Sequence, residues 1–280
     1  FKCHLGEGPI WHSEIESLIW FDILEKKMFS KNFFNDELKV YNFNEFVSSA
    51  GIIDKENLLI NSEKGLKKFN LNKNTLEDFI FLEAENELTR SNDGRVDTYG
   101  GYWISTMGKR HERNLGSIYR YYNGEIKKLF SGLSIPNSIC FSPCGKLAYF
   151  ADTIENKILR VNLDSSGWPK GKEEIFLNFS DRKLKPDGSI VDSEGCIWNA
   201  QWGSSNVSKY DKNGHLLETI NLQVPLVTCP VIGGKNKRTL FVTTAREGMN
   251  KNQLKIFPDS GCVFMKVIHS FAQKEVRIKL

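Results

Sequence analysis

Short apolar segments rich in β-branched and aromatic residues recur along this chain, each bounded by Gly, Asn, Asp or Ser. Six of them centre on a hydrophobic anchor: L-I-W-F-D on Trp20, N-L-L-I-N on Leu59, G-Y-W-I-S on Trp103, L-A-Y-F-A-D on Tyr149, C-I-W-N-A on Trp198 and T-L-F-V-T-T on Phe241. The anchors are 39, 44, 46, 49 and 43 residues apart. That period suits a four-stranded propeller blade and is too long for leucine-rich or ankyrin repeats. Turn residues precede the second to sixth anchors, as D-K-E-N, D-T-Y-G-G, S-P-C-G, D-S-E-G and G-G-K-N, and tight hairpins require such residues. Further strands follow the anchors, as in K-I-L-R-V-N-L after Tyr149 or N-V-S-K-Y-D and L-E-T-I-N-L after Trp198. No segment holds a helical period over three turns, so helix is expected to be scarce. The pattern predicts an all-β, six-bladed β-propeller of four-stranded antiparallel blades, forming one domain over residues 1–280.

Polar residues interrupt this pattern at a nearly constant phase. Glu7 in L-G-E-G-P-I-W, Asn92 in R-S-N-D-G, Asn137 in S-I-P-N-S-I and Asp187 in K-P-D-G-S-I each lie eleven to thirteen residues before the anchors Trp20, Trp103, Tyr149 and Trp198. In a propeller, equal phase means equal height on the strand that lines the central channel. The four side chains are therefore expected to form a ring of oxygen ligands, where two carboxylates repel unless a cation lies between them. The matching positions of the second and sixth blades fall near Val47 or Ser48 and near Cys229. These are poor ligands, so the ring is expected to be open on two sides. Taken alone, Asp187 in P-D-G also reads as a turn aspartate, and Asp93 and Gly94 as the shapers of a turn after Asn92.

Composition narrows the function classes. With 280 residues, 40% hydrophobic and 12% aromatic, the chain can bury a large core. The formal charge of +4 is not gathered on one face, because lysines are scattered through turns such as Lys26-Lys27, Lys67-Lys68 and Lys127-Lys128; nucleic acid is not an expected partner. No apolar run reaches ~18 residues and no secretory leader is visible, so no membrane partner is expected and the protein is read as cytoplasmic, a monomer or weak homo-oligomer. The six cysteines are scattered, and Cys140 and Cys144 make the one close pair; they read as core and turn residues of a reducing compartment. There is no G-x-S-x-G elbow, H-E-x-x-H helix or phosphate loop, and the five histidines have no ligand spacing.

The motifs L-G-E-G-P-I-W, R-S-N-D-G-R-V-D followed by G-Y-W-I-S-T-M, I-P-N-S-I-C-F-S, P-D-G-S-I-V-D-S-E-G-C-I-W and V-T-T-A-R-E-G-M together resemble the SMP-30/gluconolactonase/luciferin-regenerating-enzyme (regucalcin-like) family. The likeness runs in order over essentially the whole chain. It implies a six-bladed propeller, in agreement with the anchor count, and one divalent metal ion held by Glu7, Asn137 and Asp187. It also implies that Arg90 and Asn92 contact a small-molecule substrate.

Glu, Asn and Asp offer only oxygen, which suits hard cations with Ca²⁺ foremost; Mg²⁺, Mn²⁺ and Zn²⁺ are alternatives, since members of the family accept several. The implied activity is a metal-dependent lactonase that hydrolyses a sugar (aldono-) lactone. Asp187 is the candidate general base, with metal-bound hydroxide as its competitor, while Arg90 and Asn92 suit sugar hydroxyls. Related proteins often carry an acidic contact a few residues after the S-T-M methionine. Here that loop is G-K-R-H-E-R-N, which makes His111 and Glu112 candidates for specificity. Trp202 is open to either stacking on a sugar or sealing a blade, and Arg246 and Glu247 read as a salt bridge or closure contact. Two other readings stay open: a non-catalytic metal-binding propeller, and a hydrolase of non-sugar lactones or esters.

Overall fold

In the computed structural model, which describes residues 1–280, six antiparallel sheets follow one another along the chain as the blades of a propeller. The innermost strands are Gly6–His12, Val47–Ile52, Thr89–Val96, Pro136–Phe141, Lys185–Val191 and Val227–Gly233. Every anchor of the repeat lies on the next strand out: Ser17–Asp22, Asn57–Ser62, Tyr102–Gly108, Leu147–Asp152, Ile197–Trp202 and Thr239–Thr244. These strands are covered by neighbouring blades on both faces, which is why they read as unbroken apolar runs rather than as alternation. Outer strands such as Thr75–Phe81 and Glu125–Leu133 face solvent along most of their length.

Apolar clusters fill the wedges between blades. Trp103 and Trp198 are wholly buried in two of them, beside Phe141 and Phe150 and beside Leu240 and Val242 respectively. Blades one to five have four strands, as expected, but blade six has three. After its third strand, Phe264–Val267, the chain leaves the sheet and crosses the base of the channel. Phe271 O accepts from Ser193 N, the Gln273 amide donates to Phe141 O and Val191 O, and Glu275 accepts from Ser13 N. Ile278 N and Lys279 N donate to Ile52 O and Gly100 O. The tail that stands in place of a fourth strand thus bonds to five other blades, with its backbone on blades two, three and five and with the Gln273 and Glu275 side chains on blades one, four and five. The one α-helix, Lys251–Ile256, is a single short segment with a capping box between Asn250 and Gln253.

The ring closes where blade six meets the start of the chain. Thr228 Oγ1 donates to Gly6 O at 2.5 Å, Arg246 N donates to His4 O at 2.8 Å, and the Arg246 guanidinium reaches the carbonyls of Lys2 and Cys3. Arg246 is therefore the closure contact that its position in A-R-E-G-M suggests. Trp11 stacks on Phe241 across the same seam at 5.7 Å. All six cysteines are unpaired.

One extra residue sits in every innermost strand. Glu7 pairs with Phe21 but Ile10 with Ile19, and the same slip separates Val47 from Ser49, Ser91 from Gly94, Asn137 from Cys140, Pro186 from Ser189 and Val227 from Pro230. Each slip is a β-bulge, which bends the strand and re-aims the side chains beside it. The segments N-D-G and P-D-G, which read from sequence as turns, lie in these bulged strands instead. Their Gly and Asp serve the bulge, a local geometry that shares the composition of a turn.

Blade three holds a buried ion pair. Arg120 Nε donates to Asp97 Oδ2 at 2.7 Å, both side chains being fully inaccessible. Trp103 Nε1 donates to the same oxygen, and Tyr99 N and Gly101 N donate to Oδ1. The guanidinium lies 4.5 Å from the ring of Tyr122 and 4.4 Å from that of Trp168. Removing one member leaves a charge with no partner in a water-free setting. Asp97→Ala is expected to destabilise the protein by about 3–5 kcal/mol, read as a lower urea midpoint at unchanged m-value, whereas the exposed pair Arg160–Glu174 should tolerate the same change for less than about 1 kcal/mol.

Candidate active site

The bulges turn a set of polar side chains into one cleft of about 300 Å³ at the mouth opposite the C-terminal crossing. Its wall includes Glu7, Arg90, Asn92, Asn137, Asp187 and Glu247. Glu7, Asn92, Asn137 and Asp187 occupy blades one, three, four and five and all are buried, so the common phase seen in the sequence corresponds to a common place in space. The second blade contributes no side chain to the wall, and the sixth contributes only Glu247, from the segment after its second strand. Their residues at this height, Ser48 and Cys229, lie buried between the blades.

Local backbone explains how each group is held. Gly8 has φ +54°, and a Cβ there would lie 2.1 Å from Ser48 O; its N–H donates to Glu7 Oε2 at 2.9 Å. Gly188 beside Asp187 has no space either, since a Cβ would meet Cys229 Sγ at 2.3 Å. Asn137 Nδ2 donates to Thr153 Oγ1 at 2.9 Å, and Thr153 Oγ1 donates to Pro186 O at 2.7 Å. This chain fixes the Asn137 amide and ties blade four to the strand bearing Asp187. Asn92 Nδ2 donates to Asn137 Oδ1 at 2.8 Å, while Asn92 Oδ1 accepts from Arg90 Nη1 at 3.0 Å. Asn92 is thus a link between Arg90 and Asn137 as well as part of the wall.

Two aspartates outside the cleft support it. Asp22 accepts from the backbone N–H groups of His4 and Leu5, and Asp152 accepts from those of Ser134 and Ile135. Each thereby sets the approach to a strand that carries a cleft residue. The repeat of aspartate at the end of W-F-D and F-A-D was the available signal.

The loop after Met107 divides the two candidate specificity residues. His111 lies on the cleft wall, with its Nε2 3.7 Å from Glu247 Oε1. Glu112 does not: its carboxylate folds back to accept from Arg110 N at 2.9 Å. Trp202 is on the wall, whereas Gln201 is buried and donates to Tyr210 Oη. Sequence reading missed Thr153, Lys185 and the apolar lining from Leu5, Ile135 and Ile154, and it read Glu247 as structural. A second acidic group, Asp192 with Glu194 and Cys196, is a turn fastening: Asp192 accepts from the N–H groups of Glu194 and Cys196 and from Trp198 Nε1. The same arrangement recurs at Asp97.

Asp93 is buried beneath the cleft and accepts from Ile139 N on the next blade at 2.7 Å and from Gly94 N at 2.8 Å. Three carboxyl groups therefore share a poorly hydrated channel. Burial pushes the Glu7 carboxyl up to about 8, with repulsion from Asp93 adding to it. Burial, then Glu7, Asp93 and Glu247, hold Asp187 well above the usual carboxylate range. A cation among them would reverse that penalty. Two carboxylates and an amide oxygen form a donor set suited to a hard divalent ion, so the residues present fit one.

Without a cation, the shift of Glu7 fixes a direction for stability. Between the usual pKa of 4.5 and about 8, the folded state keeps a proton that the unfolded chain releases, so rising pH favours unfolding. In chelator, the unfolding free energy is expected to fall from pH 5 to 8 by at most about 1.4 kcal/mol per pH unit for this group. Glu7→Gln should flatten that slope in a urea-melt series across pH.

Residues 5–246 match the model of the SMP-30/gluconolactonase/LRE-like region. A Rhizobium meliloti (strain 1021) protein provisionally named a sugar lactone lactonase is 33% identical over 93% of this chain and 88% of its own length. The 6-deoxy-6-sulfogluconolactonase of Pseudomonas putida is 29% identical over 93% and 90%. The crystal structure of a calcium-binding protein, regucalcin, from Agrobacterium tumefaciens str. C58 superposes with a TM-score of 0.98 at 36% identity, covering 100% of this chain and 95% of that one. Matched by that model over residues 5–246 and 33% identical to a relative over 93% of its length, the chain belongs to the SMP-30/gluconolactonase/LRE-like family.

Proposed function

We propose that this protein is a divalent-metal-dependent lactonase that opens a sugar lactone to its aldonic acid. The observation that carries the reading is the meeting of Glu7, Asn137 and Asp187 on one cleft wall with Arg90 and Asn92 beside them. Relatives named for sugar lactones and a structure named calcium-binding support it. Calcium is the first candidate for the ion because all three donors are oxygen.

Glu7, Asn137 and Asp187 would hold the cation. A divalent ion bound there would polarise the lactone carbonyl and lower the pKa of a nearby water. Asp187 then orients the attacking water and takes its proton as the oxygen adds to the carbonyl carbon. The ring C–O bond breaks, the ring oxygen leaves as a hydroxyl carrying that proton, and the new carboxylic acid ionises. Arg90 Nη1 is committed to Ser91 O and Asn92 Oδ1, so the rest of the guanidinium is what faces the sugar. Apolar Leu5, Ile135, Ile154 and Trp202 on the wall limit the water around the reacting bond.

Stripped with chelator and reloaded with Ca²⁺, Mg²⁺, Mn²⁺ or Zn²⁺, the protein is expected to acidify solutions of glucono-, xylono-, arabino- or galactonolactone faster than the spontaneous rate, followed with a pH indicator. Asp187→Ala should lower kcat by about 10²-fold or more. No acceleration with any ion, or full activity in Asp187→Ala, counts against the reading.

A further inference from the structure

Several sugar hydroxyls enter the cleft with a lactone, and each needs an acceptor for its proton as well as a donor. The acceptors on the wall can be counted. Glu7, Asn137 and Asp187 face the proposed ion. Asn92 Oδ1 already accepts from Arg90, and Thr153 Oγ1 accepts from Asn137 while donating to Pro186 O. Arg90 and Lys185 can only donate, and Leu5, Met107, Ile135, Ile154 and Trp202 offer apolar contact. Glu112 is turned onto its own loop. Asn92 Oδ1 keeps one lone pair and the His111 imidazole can offer a ring nitrogen, but the one carboxylate left for the sugar is Glu247, whose side chain is 25% exposed. No protein hydrogen bond reaches its carboxylate; the side-chain nitrogen beside it is His111 Nε2 at 3.7 Å.

From this count we infer that Glu247, on blade six, is a specificity-determining residue that accepts hydrogen bonds from the hydroxyls of the bound sugar, with His111 across the mouth as its positioning neighbour. The inference rests on the lactonase reading for the identity of the substrate. Two features place the carboxylate well for the role. It lines the same cleft of about 300 Å³ as Arg90 and Asp187, so one sugar ring held there faces all three. His111 is held in a left-handed conformation, φ +61°, with its N–H bonded to Gly108 O, and its half-exposed imidazole stands on the cleft wall. Donors from Arg90 on one side and acceptors from Glu247 on the other would discriminate among lactones by the pattern of their hydroxyls. A site built to bond a hydroxyl rejects the analogue that lacks it far more strongly than an apolar pocket does.

The test compares gluconolactone with δ-valerolactone, a lactone without hydroxyls, in the metal-loaded enzyme. Glu247→Ala is expected to raise KM for gluconolactone about ten-fold or more, with kcat within about two-fold and kcat/KM for δ-valerolactone unchanged. Glu247→Gln, which keeps an acceptor oxygen, should recover most of the loss. Calorimetric binding of gluconolactam, with the same hydroxyls on a ring that resists hydrolysis, should weaken in parallel. Equal loss on both lactones would show that Glu247 acts through the charges of Arg90 and Asp187, and an unmoved KM and lactam affinity would show no contact; either overturns the inference. If the wild type hydrolyses no lactone yet binds the lactam in a Glu247-dependent way, the lactonase reading falls and the contact stands. If it hydrolyses gluconolactone and Glu247→Ala behaves as wild type, the reverse holds. A wild type that neither hydrolyses nor binds sinks both.

Discussion

Carboxyl groups crowded into a closed channel are the costliest feature of this molecule, and much of the rest is arranged around them. Glu7, Asp93 and Asp187 are each nine-tenths or more buried, and each makes ionisation of the others harder. A chain selected for stability alone would place apolar side chains there. Instead, Gly8 and Ile139 give backbone donors to Glu7 and Asp93, Asp22 and Asp152 fasten the approaches to two of the strands, and Asn92 joins Arg90 to Asn137. These fixed dipoles hold the cluster in one geometry before any ligand arrives. Such pre-organisation is what an electrostatic catalyst needs and what a scaffold does not.

The bulges and the propeller symmetry supply the geometry. A flat inner strand would alternate its side chains between the two neighbouring wedges, and none would point along the channel. One additional residue per strand breaks the alternation at the same height in all six blades. Blades two and six keep the bulge but carry Ser48 and Cys229 beside it, so the scaffold repeats where the chemistry does not. This separation lets the polar set vary without disturbing the fold.

How much of this was legible follows from which interactions are local. Anchor spacing gave six blades because Trp20, Trp103, Tyr149, Trp198 and their counterparts must each fill the same wedge. Phase gave Glu7, Asn92, Asn137 and Asp187 a common height for the same reason. The bulges were hidden, because N-D-G and P-D-G have the composition of turns and only the pairing partner decides between the two. Glu247 and Thr153 were also hidden. Each lies beyond the end of a second strand, and its place on the cleft depends on a neighbouring blade rather than on its own. The three-stranded last blade could not be read either, since the chain that leaves it is satisfied by carbonyls of Ile52 and Gly100, more than a hundred residues away in sequence.

Closure of the ring sets the order in which such a chain assembles. Asn137 and Asp187 lie on adjacent blades whose strands are all near neighbours in sequence, so that half of the cleft forms from local contacts. Glu7 is different, because the strand Gly6–His12 is flanked by Val227–Gly233, with Thr228 bonded to Gly6 and Arg246 to His4. Contacts of such long range are the slowest to form. The segment bearing Glu7 pairs at once with Ser17–Asp22 inside blade one, yet its other flank is uncovered until blade six has been made. Until that seam closes, Asn137 and Asp187 have their neighbours on blades four and five while the flank of the cleft beside Glu7 stays open, so the cleft matures together with the last seam of the propeller.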